Sequence, residues 1–441
     1  MSADPVVRGE RTSSPLGRGA GSGGLTKSAR PFAHPDPLYG EVRVAGWAAA
    51  LLATPPFQRL AGVSLSDVPG ELLFDRPFPS RLDHAIGVYA LARASRPRDR
   101  ALQAAALVHD LGHGPFSHLT EPLMIERCGE DHESRSARLL TDVRAALPLP
   151  AARQLAWLDW DEVARLVLGG GQDGRGALLN GRLDYDNADN VARFLLASDL
   201  ATPSYDPRTL ARALRSLPAA LAQESAMDDR VYLQSAAEPE ALAWQRDRAT
   251  VYAYLHTGHH NLAAHAMLRK AIDLATATNI LPPDFLDCTD AQALAILSHA
   301  LDRGLIALVQ RVRAGKEHVH RCVWEAEVSP ESPAIPATLA RWRERLALEA
   351  RLAGEAALAP HEVIVETIVS NASRALPPIA AGSSPTALTR HPTPPAAPRM
   401  LHLFVACDAG RDYVRRLRMA AERHLVVMGA VPASHGESVE R

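Results

Sequence analysis

The stretch ALVHDLGHGPFSH, residues 106–118, concentrates residue types that bind metals and phosphates. It places His109 next to Asp110 and adds His113 and His118 a few positions later. Glycine and proline disfavour a helix interior and buried imidazoles need polar partners, so an ordinary core helix does not explain this composition. Neutral imidazoles and carboxylates are the ligands of a transition metal in a hydrolase, which also leaves one coordination position open for water. The stretch therefore predicts a metal-dependent hydrolytic site.

Two adjacent ligands do not complete such a site, so further ligands must come from other segments. The sequence offers His84 in SRLDHAIGV and Asp186 in GRLDYDNAD. A lone histidine is more often a satisfied interior or surface residue, and an aspartate in a D-x-D run, here Asp184 and Asp186, is more often a helix cap. The prediction of a site therefore depends on HDLGHGPFSH, residues 109–118, which we call the HD string. Its glycines permit a sharp turn, and Pro115 suits the start of the next helix.

The elements that must position these residues are mostly helical. Apolar residues recur with i, i+3, i+4 spacing in seven segments: 84–94, 100–111, 132–147, 160–168, 209–217, 261–277 and 291–312. Strand-like runs come later, at 318–328, 362–369 and 400–407, and a helical pattern follows at 412–425. We therefore expect a mainly α fold, with a helical core and a small α+β C-terminal lobe.

Composition divides the chain further. Residues 1–37 are rich in Gly, Ser, Pro and Arg and predict a disordered N-terminal tail. We expect the helical domain over residues 38–315 and the C-terminal lobe over residues 316–441. Within that lobe, a segment rich in Pro, Ala and Ser at about 373–399 predicts a long surface loop.

Overall composition restricts the partners of the chain. The 48 basic and 50 acidic residues leave a net charge of −2, and aromatic residues make up 5%. This balance gives no general attraction to polyanions and no stacking platform, so we expect neither an extended nucleic-acid groove nor a membrane partner. The cysteines are far apart and form no C-x-x-C pair, which favours a reducing, cytoplasmic compartment.

Several segments, taken in chain order, resemble the HD-domain phosphohydrolases, and within them the deoxynucleotide triphosphohydrolase branch. These segments are HPDPLYGEV (34–42), LLATPPFQRLAGVS (51–64), SRLDHAIGVYALA (80–92), ALVHDLGHGPFSHLTE (106–121), DHESRSARLL (131–140), LDYDNADNVAR (183–193) and YAYLHTGHHNLAAHAMLRKAI (252–272). The resemblance extends over about residues 35–275 and is weaker beyond them. It implies an all-α HD core that carries a minor α+β piece.

The resemblance implies that His84, His109, Asp110 and Asp186 bind one divalent ion. Such a mixed nitrogen and oxygen set suits Mn, Fe, Co, Ni or Zn, and the ligand chemistry does not choose among them. Mg²⁺ that accompanies the substrate is a further option.

The resemblance also implies that Arg81, His113 and His118 bind phosphate and that His113, His118, His132 and Glu121 form the catalytic group. In this mechanism the metal lowers the pKa of a bound water, and the resulting hydroxide attacks the α-phosphorus. His132, held by Glu121, protonates the leaving oxygen, because a histidine pKa lies near neutrality. Two plainer readings stay open: Glu121 as a first-turn helix charge, and His132 as an exposed residue.

Four positions depart from the triphosphohydrolase pattern. The family has tyrosine, lysine, glutamine and arginine where this chain has Asn190, Asn187, Leu65 and Gly258, respectively. Each change removes a charge or a hydrogen bond that the family uses on the sugar or the outer phosphates. The metal chemistry and the substrate are therefore separate predictions.

We expect a metal-dependent phosphohydrolase that binds a small-molecule nucleotide and converts a deoxynucleoside triphosphate to deoxynucleoside and triphosphate. The alternatives are a nucleotidase or phosphodiesterase acting on another phosphate ester, and a catalytically silent nucleotide-binding sensor. Family members usually assemble into oligomers, which implies a homo-oligomer. The stretch LHTGHHNLAAH, residues 255–265, leaves open a second metal site, a phosphate-facing cluster or polar positions on a packed helix.

Overall fold

The computed structural model describes residues 30–74, 76–171, 173–217, 230–329, 334–367, 380–383, 388–390 and 399–432. The helices are α1 (Gly46–Leu52), α2 (Pro55–Leu60), α3 (Gly70–Phe74), α4 (Arg81–Ser95), α5 (Arg100–Val108), α6 (Glu121–Cys128), α7 (His132–Ala146), α8 (Leu149–Gln154), α9 (Trp160–Val167), α10 (Tyr185–Ser198), α11 (Pro207–Ala213), α12 (Glu238–Thr257), α13 (His259–Ala277), α14 (Asp290–Ser298), α15 (Arg303–Arg313), α16 (Ala334–Ala340), α17 (Trp342–Ala356) and α18 (Arg411–Leu425). The strands are β1 (Phe32–Asp36), β2 (Gly40–Val44), β3 (Leu214–Ser216), β4 (Val231–Gln234), β5 (Arg321–Val328), β6 (Val363–Thr367), β7 (Ala380–Gly382), β8 (Leu388–Arg390), β9 (Met400–Val405) and β10 (Ala430–Pro432). The prediction of a mainly α fold is confirmed.

Helix α4 lies at the centre of the helical body. It begins at a capping box in which Ser80 and Asp83 exchange hydrogen bonds with each other's backbone N–H groups. Every residue from His84 to Ala92 is buried, so the helix is enclosed on all sides. It packs against α5, α10 and α11. A histidine in its first turn is therefore held inside the protein rather than at the surface.

The C-terminal lobe is built on an antiparallel sheet with the strand order β10-β5-β9-β6. Helices α16 and α17 pack against β6, and α18 packs against α17 and β5. The three strand-like runs and the last helical pattern of the sequence correspond to β5, β6, β9 and α18, and β10 was not predicted.

A second sheet crosses the domain boundary that we expected at residue 315. Its order is β3-β4-β7-β8, and β4 pairs with β7 in parallel. Strands β7 and β8 lie inside segment 373–399, where we predicted a long surface loop. The small residues Ala380 and Ala381 are buried in β7, which explains how a segment of loop-like composition adds a strand. The rest of that segment lies largely outside the described residues.

The predicted N-terminal tail also needs a correction. Residues 32–36 form β1, which pairs with β2, although we expected disorder up to residue 37. Strand β1 is held in place at its last residue, because Arg193 donates to the buried carboxylate of Asp36 at 2.8 Å. Residues 1–29 of the predicted tail lie outside the described residues.

Two predicted helices end early. The pattern over 291–312 is divided into α14 and α15, because Asp302 caps a new helix by accepting from the backbone N–H of Leu305. The pattern over 209–217 stops at Ala213, and the chain continues as β3. Among the helices that the structure describes, we find no candidate with the combined length and apolarity that crossing a bilayer requires.

Candidate metal centre and histidine pocket

The side chains of His84, His109 and Asp110 meet in the interior of the helical body, with ligand atoms within 4.8 Å of one another. The two Nε2 atoms of His84 and His109 are 3.3 Å apart. Asp110 places Oδ1 3.4 Å from Nε2 of His109 and Oδ2 3.5 Å from Nε2 of His84. Asp186 adds Oδ1 at 2.9 Å from Nε2 of His84 and 3.9 Å from Nε2 of His109. The structure thus brings together the four residues that the sequence suggested as ligands.

Helix boundaries explain how these residues converge. Helix α5 has its last residue at Val108, so His109 and Asp110 stand where the helix gives way to a turn, and neighbours in sequence can share one centre. Asp186 lies in the first turn of α10. The other aspartate of its D-x-D run, Asp184, caps that helix by accepting from the backbone N–H of Asn187 at 2.7 Å.

Each imidazole of the metal centre is oriented by a hydrogen bond from its Nδ1 atom. Nδ1 of His84 donates to Oδ2 of Asp189 at 2.7 Å, and Nδ1 of His109 donates to the carbonyl of Ala106 at 2.9 Å. In the neutral rings these bonds leave the lone pairs on the two Nε2 atoms, as in most metal-ligating histidines. Two lone pairs 3.3 Å apart repel each other unless a cation lies between them. The donor set therefore fits a divalent transition metal.

Asp189 is the residue that our sequence reasoning missed. It is fully buried, and it accepts from the hydroxyl of Tyr39 at 2.7 Å and from the guanidinium of Arg193 at 2.8 and 2.9 Å. Gly87 makes room for it, because a Cβ there would lie 2.2 Å from Oδ1 of Asp189. The available signal was the three-residue spacing from Asp186, which puts both carboxylates on one face of α10.

The electrostatics of the centre favour bound positive charge. Burial opposes ionisation of Asp110, but its electrostatic interactions with the His109 imidazole and the Arg81 guanidinium hold its pKa well below the usual value. Burial also acts to lower the pKa of His84, yet hydrogen bonds to Asp186 and Asp189 raise it to about 9. The carboxylates around His84 thus attract a proton onto the imidazole, and a divalent cation satisfies the same negative charge.

Arg81 connects the metal centre to the glycine-rich turn of the HD string. Its guanidinium is buried and donates to Oδ2 of Asp110 at 2.8 Å and to Oγ of Ser117 at 2.9 Å. Ser117 and its neighbour Phe116 are non-glycine residues with left-handed φ angles of 52° and 61°. Strained residues of this kind persist where the surrounding contacts hold them, often at functional sites. Here the backbone N–H of Phe116 donates to Asp290 at 2.7 Å.

Three imidazoles form a pocket beside the metal centre. The ring of His132 lies 4.1 Å from that of His113 and 5.1 Å from that of His118, centroid to centroid. Nε2 of His113 lies 3.3 Å from Oδ1 of Asp110, which joins the pocket to the metal centre. Glu121 places Oε1 2.5 Å from Nδ1 of His132 and Oε2 3.3 Å from Nδ1 of His118. We call these four residues, His113, His118, His132 and Glu121, the histidine pocket.

The histidines of the pocket differ in their exposure to solvent. His113 is completely buried, while the side chain of His118 is 48% exposed. Burial and the charge of Arg81 lower the pKa of His113 well below the usual value, so this ring stays neutral. Burial also opposes protonation of His132, but the hydrogen bond and charge of Glu121 raise its pKa. The pocket therefore holds one neutral imidazole and one that retains its proton.

Three of the four positions that depart from the triphosphohydrolase pattern have other roles here. Leu65 is buried, and its backbone N–H donates to the carbonyl of Pro79. The side chain of Asn187 donates to Asp184 at 3.0 Å. Gly258 separates α12 from α13. None of these three residues offers a positive charge to an outer phosphate.

Comparisons with known proteins agree with this geometry. A family model described as HD domain matches residues 81–199. The putative HD domain-containing protein L394 of Acanthamoeba polyphaga mimivirus is 30% identical over 135 residues, which cover 24% of this chain and 29% of that protein.

Two further relatives carry enzymatic names. A deoxyguanosinetriphosphate triphosphohydrolase-like protein of Brucella ovis is 43% identical over 72 residues, covering 14% of this chain and 18% of the relative. The deoxynucleoside triphosphate triphosphohydrolase SAMHD1 of Danio rerio is 34% identical over 107 residues, covering 21% of this chain and 17% of the relative. The chain spans less than a third of the length of each of these relatives. Residues 81–199 therefore match the HD domain, and the chain is similar over part of its length to the deoxynucleotide triphosphohydrolases.

Proposed function

We propose that the chain is a metal-dependent phosphohydrolase that acts on a nucleotide. The observation that carries this proposal is the convergence of four metal-ligand groups, from His84, His109, Asp110 and Asp186, next to a pocket of imidazoles. In this proposal those four side chains bind one divalent ion of Mn, Fe, Co, Ni or Zn. When bound, the ion supplies Lewis acidity and lowers the pKa of a water ligand.

The residues around the centre have distinct roles in this proposal. His113 and His118 line the path of the phosphate, and Arg81 balances charge on Asp110 and on the phosphoryl oxygens. Glu121 holds Nδ1 of His132, which leaves Nε2 as the nitrogen that hands a proton to the leaving oxygen. The raised pKa of His132 keeps that proton available near neutral pH.

We propose a deoxynucleoside triphosphate as the substrate, cleaved to deoxynucleoside and triphosphate. The names of the Brucella ovis and Danio rerio relatives support this choice. The uncharged residues Leu65, Asn187 and Gly258 favour the first alternative, a nucleotidase or phosphodiesterase acting on a smaller phosphate ester. The second alternative, a silent nucleotide sensor, has no need of the proton held on His132.

One set of assays separates these possibilities. The full chain, loaded with Mn²⁺, is incubated with the four deoxynucleoside triphosphates and the four nucleoside monophosphates, and the products are resolved by ion-exchange chromatography. Tripolyphosphate release supports the proposed bond, and orthophosphate release supports a nucleotidase. Asp110→Ala should abolish turnover, while Asp412→Ala, at an exposed helix position, should not change it. Nucleotide binding without turnover by the folded, metal-loaded chain would refute the enzymatic proposal.

The proposal extends to the organisation of the protein. We propose that the chain forms a homo-oligomer, and light scattering during size-exclusion chromatography tests this. We also propose domains over residues 38–315 and 316–441, and limited proteolysis tests their bounds. We also propose a cytoplasmic location. It is supported by the free thiols of all four cysteines, Cys128, Cys288, Cys322 and Cys407. Fractionation of expressing cells tests that location.

A further inference from the structure

A second group of potential metal ligands lies about the start of α13, away from the HD string. Nε2 of His259 lies 2.8 Å from Oε1 of Glu325, and Nε2 of His402 lies 3.1 Å from the same oxygen. The three ligand atoms lie within 4.8 Å of one another. Three donors from a helix and two strands thus meet at one point.

The fold places these residues together through the sheet of the C-terminal lobe. Glu325 of β5 and His402 of β9 are directly opposite each other in the antiparallel register, so their side chains share one face. Helix α13, which begins with His259, packs against β5. The cluster therefore joins the helical body to the C-terminal sheet.

His402 is the residue that points to a ligand. Its side chain is 1% exposed, and within the described part of the chain neither ring nitrogen makes a hydrogen bond of normal geometry. The oxygen of Glu325 is close enough to Nε2 but lies away from the N–H direction. Such an offset is expected when a nitrogen and an oxygen share a third atom between them. A buried imidazole whose nitrogens lack well-aligned hydrogen bonds is otherwise costly.

The spacing of the donors suits a tetrahedral ion. With bonds of about 2.0–2.1 Å to nitrogen and oxygen, tetrahedral Zn²⁺ holds its ligand atoms roughly 3.3 Å apart. The observed separations of 2.8 and 3.1 Å differ from that value by a few tenths of an ångström. Rotation of the Glu325 and His259 side chains, which are 26% and 42% exposed, can supply this adjustment.

We propose that His259, Glu325 and His402 bind a second divalent transition cation, with Zn²⁺ the best fit, that fastens α13 to strands β5 and β9. Two imidazoles select this class of ion over Mg²⁺ and Ca²⁺, which prefer oxygen ligands. Three protein ligands leave a fourth position for water, on the side where His259 reaches solvent. The site goes beyond the proposed phosphohydrolase function and does not depend on it.

The proposed site corresponds to the first of the alternatives that the sequence left open for the stretch 255–265, a second metal site. Among the histidines of that stretch whose side chains the structure describes, only His259 enters the cluster, because His260 is exposed and His265 lies 3.5 Å from Asp67. Neither Glu325 nor His402 is near that stretch in sequence, so local spacing gave no ligand set.

Metal counting on the full chain tests the proposal. The protein is stripped with a chelator, reloaded with Zn²⁺, desalted and analysed by mass spectrometry for metal per chain. We expect two ions in the wild type, one in His259→Ala and one in Glu325→Gln, which keeps the side-chain shape and removes the charge. His260→Ala, an exposed neighbour, should retain two. Loading with Co²⁺ should give visible absorption bands that weaken in His259→Ala.

The same experiment distinguishes ions bound at this site from ions bound at the centre of His84, His109, Asp110 and Asp186, which we call the HD centre. Asp110→Ala should lose one ion and the double variant His259→Ala/Asp110→Ala both, with circular dichroism confirming that each variant is folded. A wild type that holds a single ion, lost in His259→Ala and kept in Asp110→Ala, supports this site and overturns the HD centre. Retention of the full wild-type metal content by both His259→Ala and Glu325→Gln overturns the proposal.

Discussion

Nδ1 of His84 lies 2.7 Å from Oδ2 of Asp189, and the same carboxylate is held by Arg193 and Tyr39. This contact fixes which nitrogen of His84 carries a proton and directs the other nitrogen towards His109. A residue that does not touch the proposed ion thus prepares one of its ligands. Four of our predictions concern such supporting contacts.

Asp189→Asn should weaken metal binding at the HD centre by about 10–100-fold, because the amide no longer holds the protonated Nδ1 of His84 with a charged acceptor. Competition with a chelating dye measures this affinity. Asp199→Asn is the matched control: Asp199 follows the last residue of α10 and its side chain is 77% exposed, so its replacement should leave the affinity unchanged. Equal affinities in the two variants would contradict the supporting role of Asp189.

Glu121→Gln should shift the basic limb of the kcat/KM profile towards lower pH. The pKa of His132 is raised by Glu121, so the protonated form is complete at low pH and is lost as the pH rises through the raised value. Removing the carboxylate lowers that pKa. His132→Asn should lower kcat by about 10²–10⁴-fold. Glu130→Gln, a half-buried acid that pairs with Arg138, should leave the profile in place. A profile of Glu121→Gln that also stays in place rules out His132 as the general acid.

Gly112→Ala should destabilise the protein by roughly 1–3 kcal/mol, because overpacking moves the backbone. A Cβ at Gly112 would lie 2.1 Å from the carbonyl oxygen of His132, so the start of α7 must shift and carry the histidine with it. Gly354 is the opposite case, an exposed helical position with nothing near an added Cβ. Gly354→Ala should therefore raise the free energy of unfolding by roughly 0.5–1 kcal/mol. Urea unfolding of both variants checks the signs, and a neutral Gly112→Ala would be the contrary outcome.

Asp290 should make the protein less stable as the pH rises. Burial raises its pKa to about 6 in the folded chain, against an ordinary value of 3.8. The folded state therefore binds this proton more tightly, and the stability it contributes is complete below pH 3.8 and is lost as the pH rises through 6. The wild type should lose about 3 kcal/mol across this window relative to Asp290→Asn. Unfolding free energies of both proteins at several pH values test this, and parallel curves would contradict it.

The sequence was most informative where residue type and local spacing coincide. His109 and Asp110 stand out in the HD string, and the periodic pattern over 84–94 located α4, which carries His84. Helix α10, which carries Asp186, was not among the predicted helices. Asp189 was missed because a second aspartate on a helix is usually a solvated charge, and only the buried Arg193 and His84 beside it give it a role. Composition likewise hid β1, whose anchor is an ion pair between residues 157 positions apart.

Because Leu233 of β4 pairs in parallel with Ala381 of β7, we expect that the chain cannot be divided at residue 315 into two stable fragments. Cutting at residue 315 would uncover the edge of β4, a template for aggregation. It would also leave Lys270 buried without Glu349, whose carboxylate lies 2.7 Å from its ammonium group. Fragments made separately should precipitate, and only co-expression of both should restore a soluble particle, so each half depends on the other to fold.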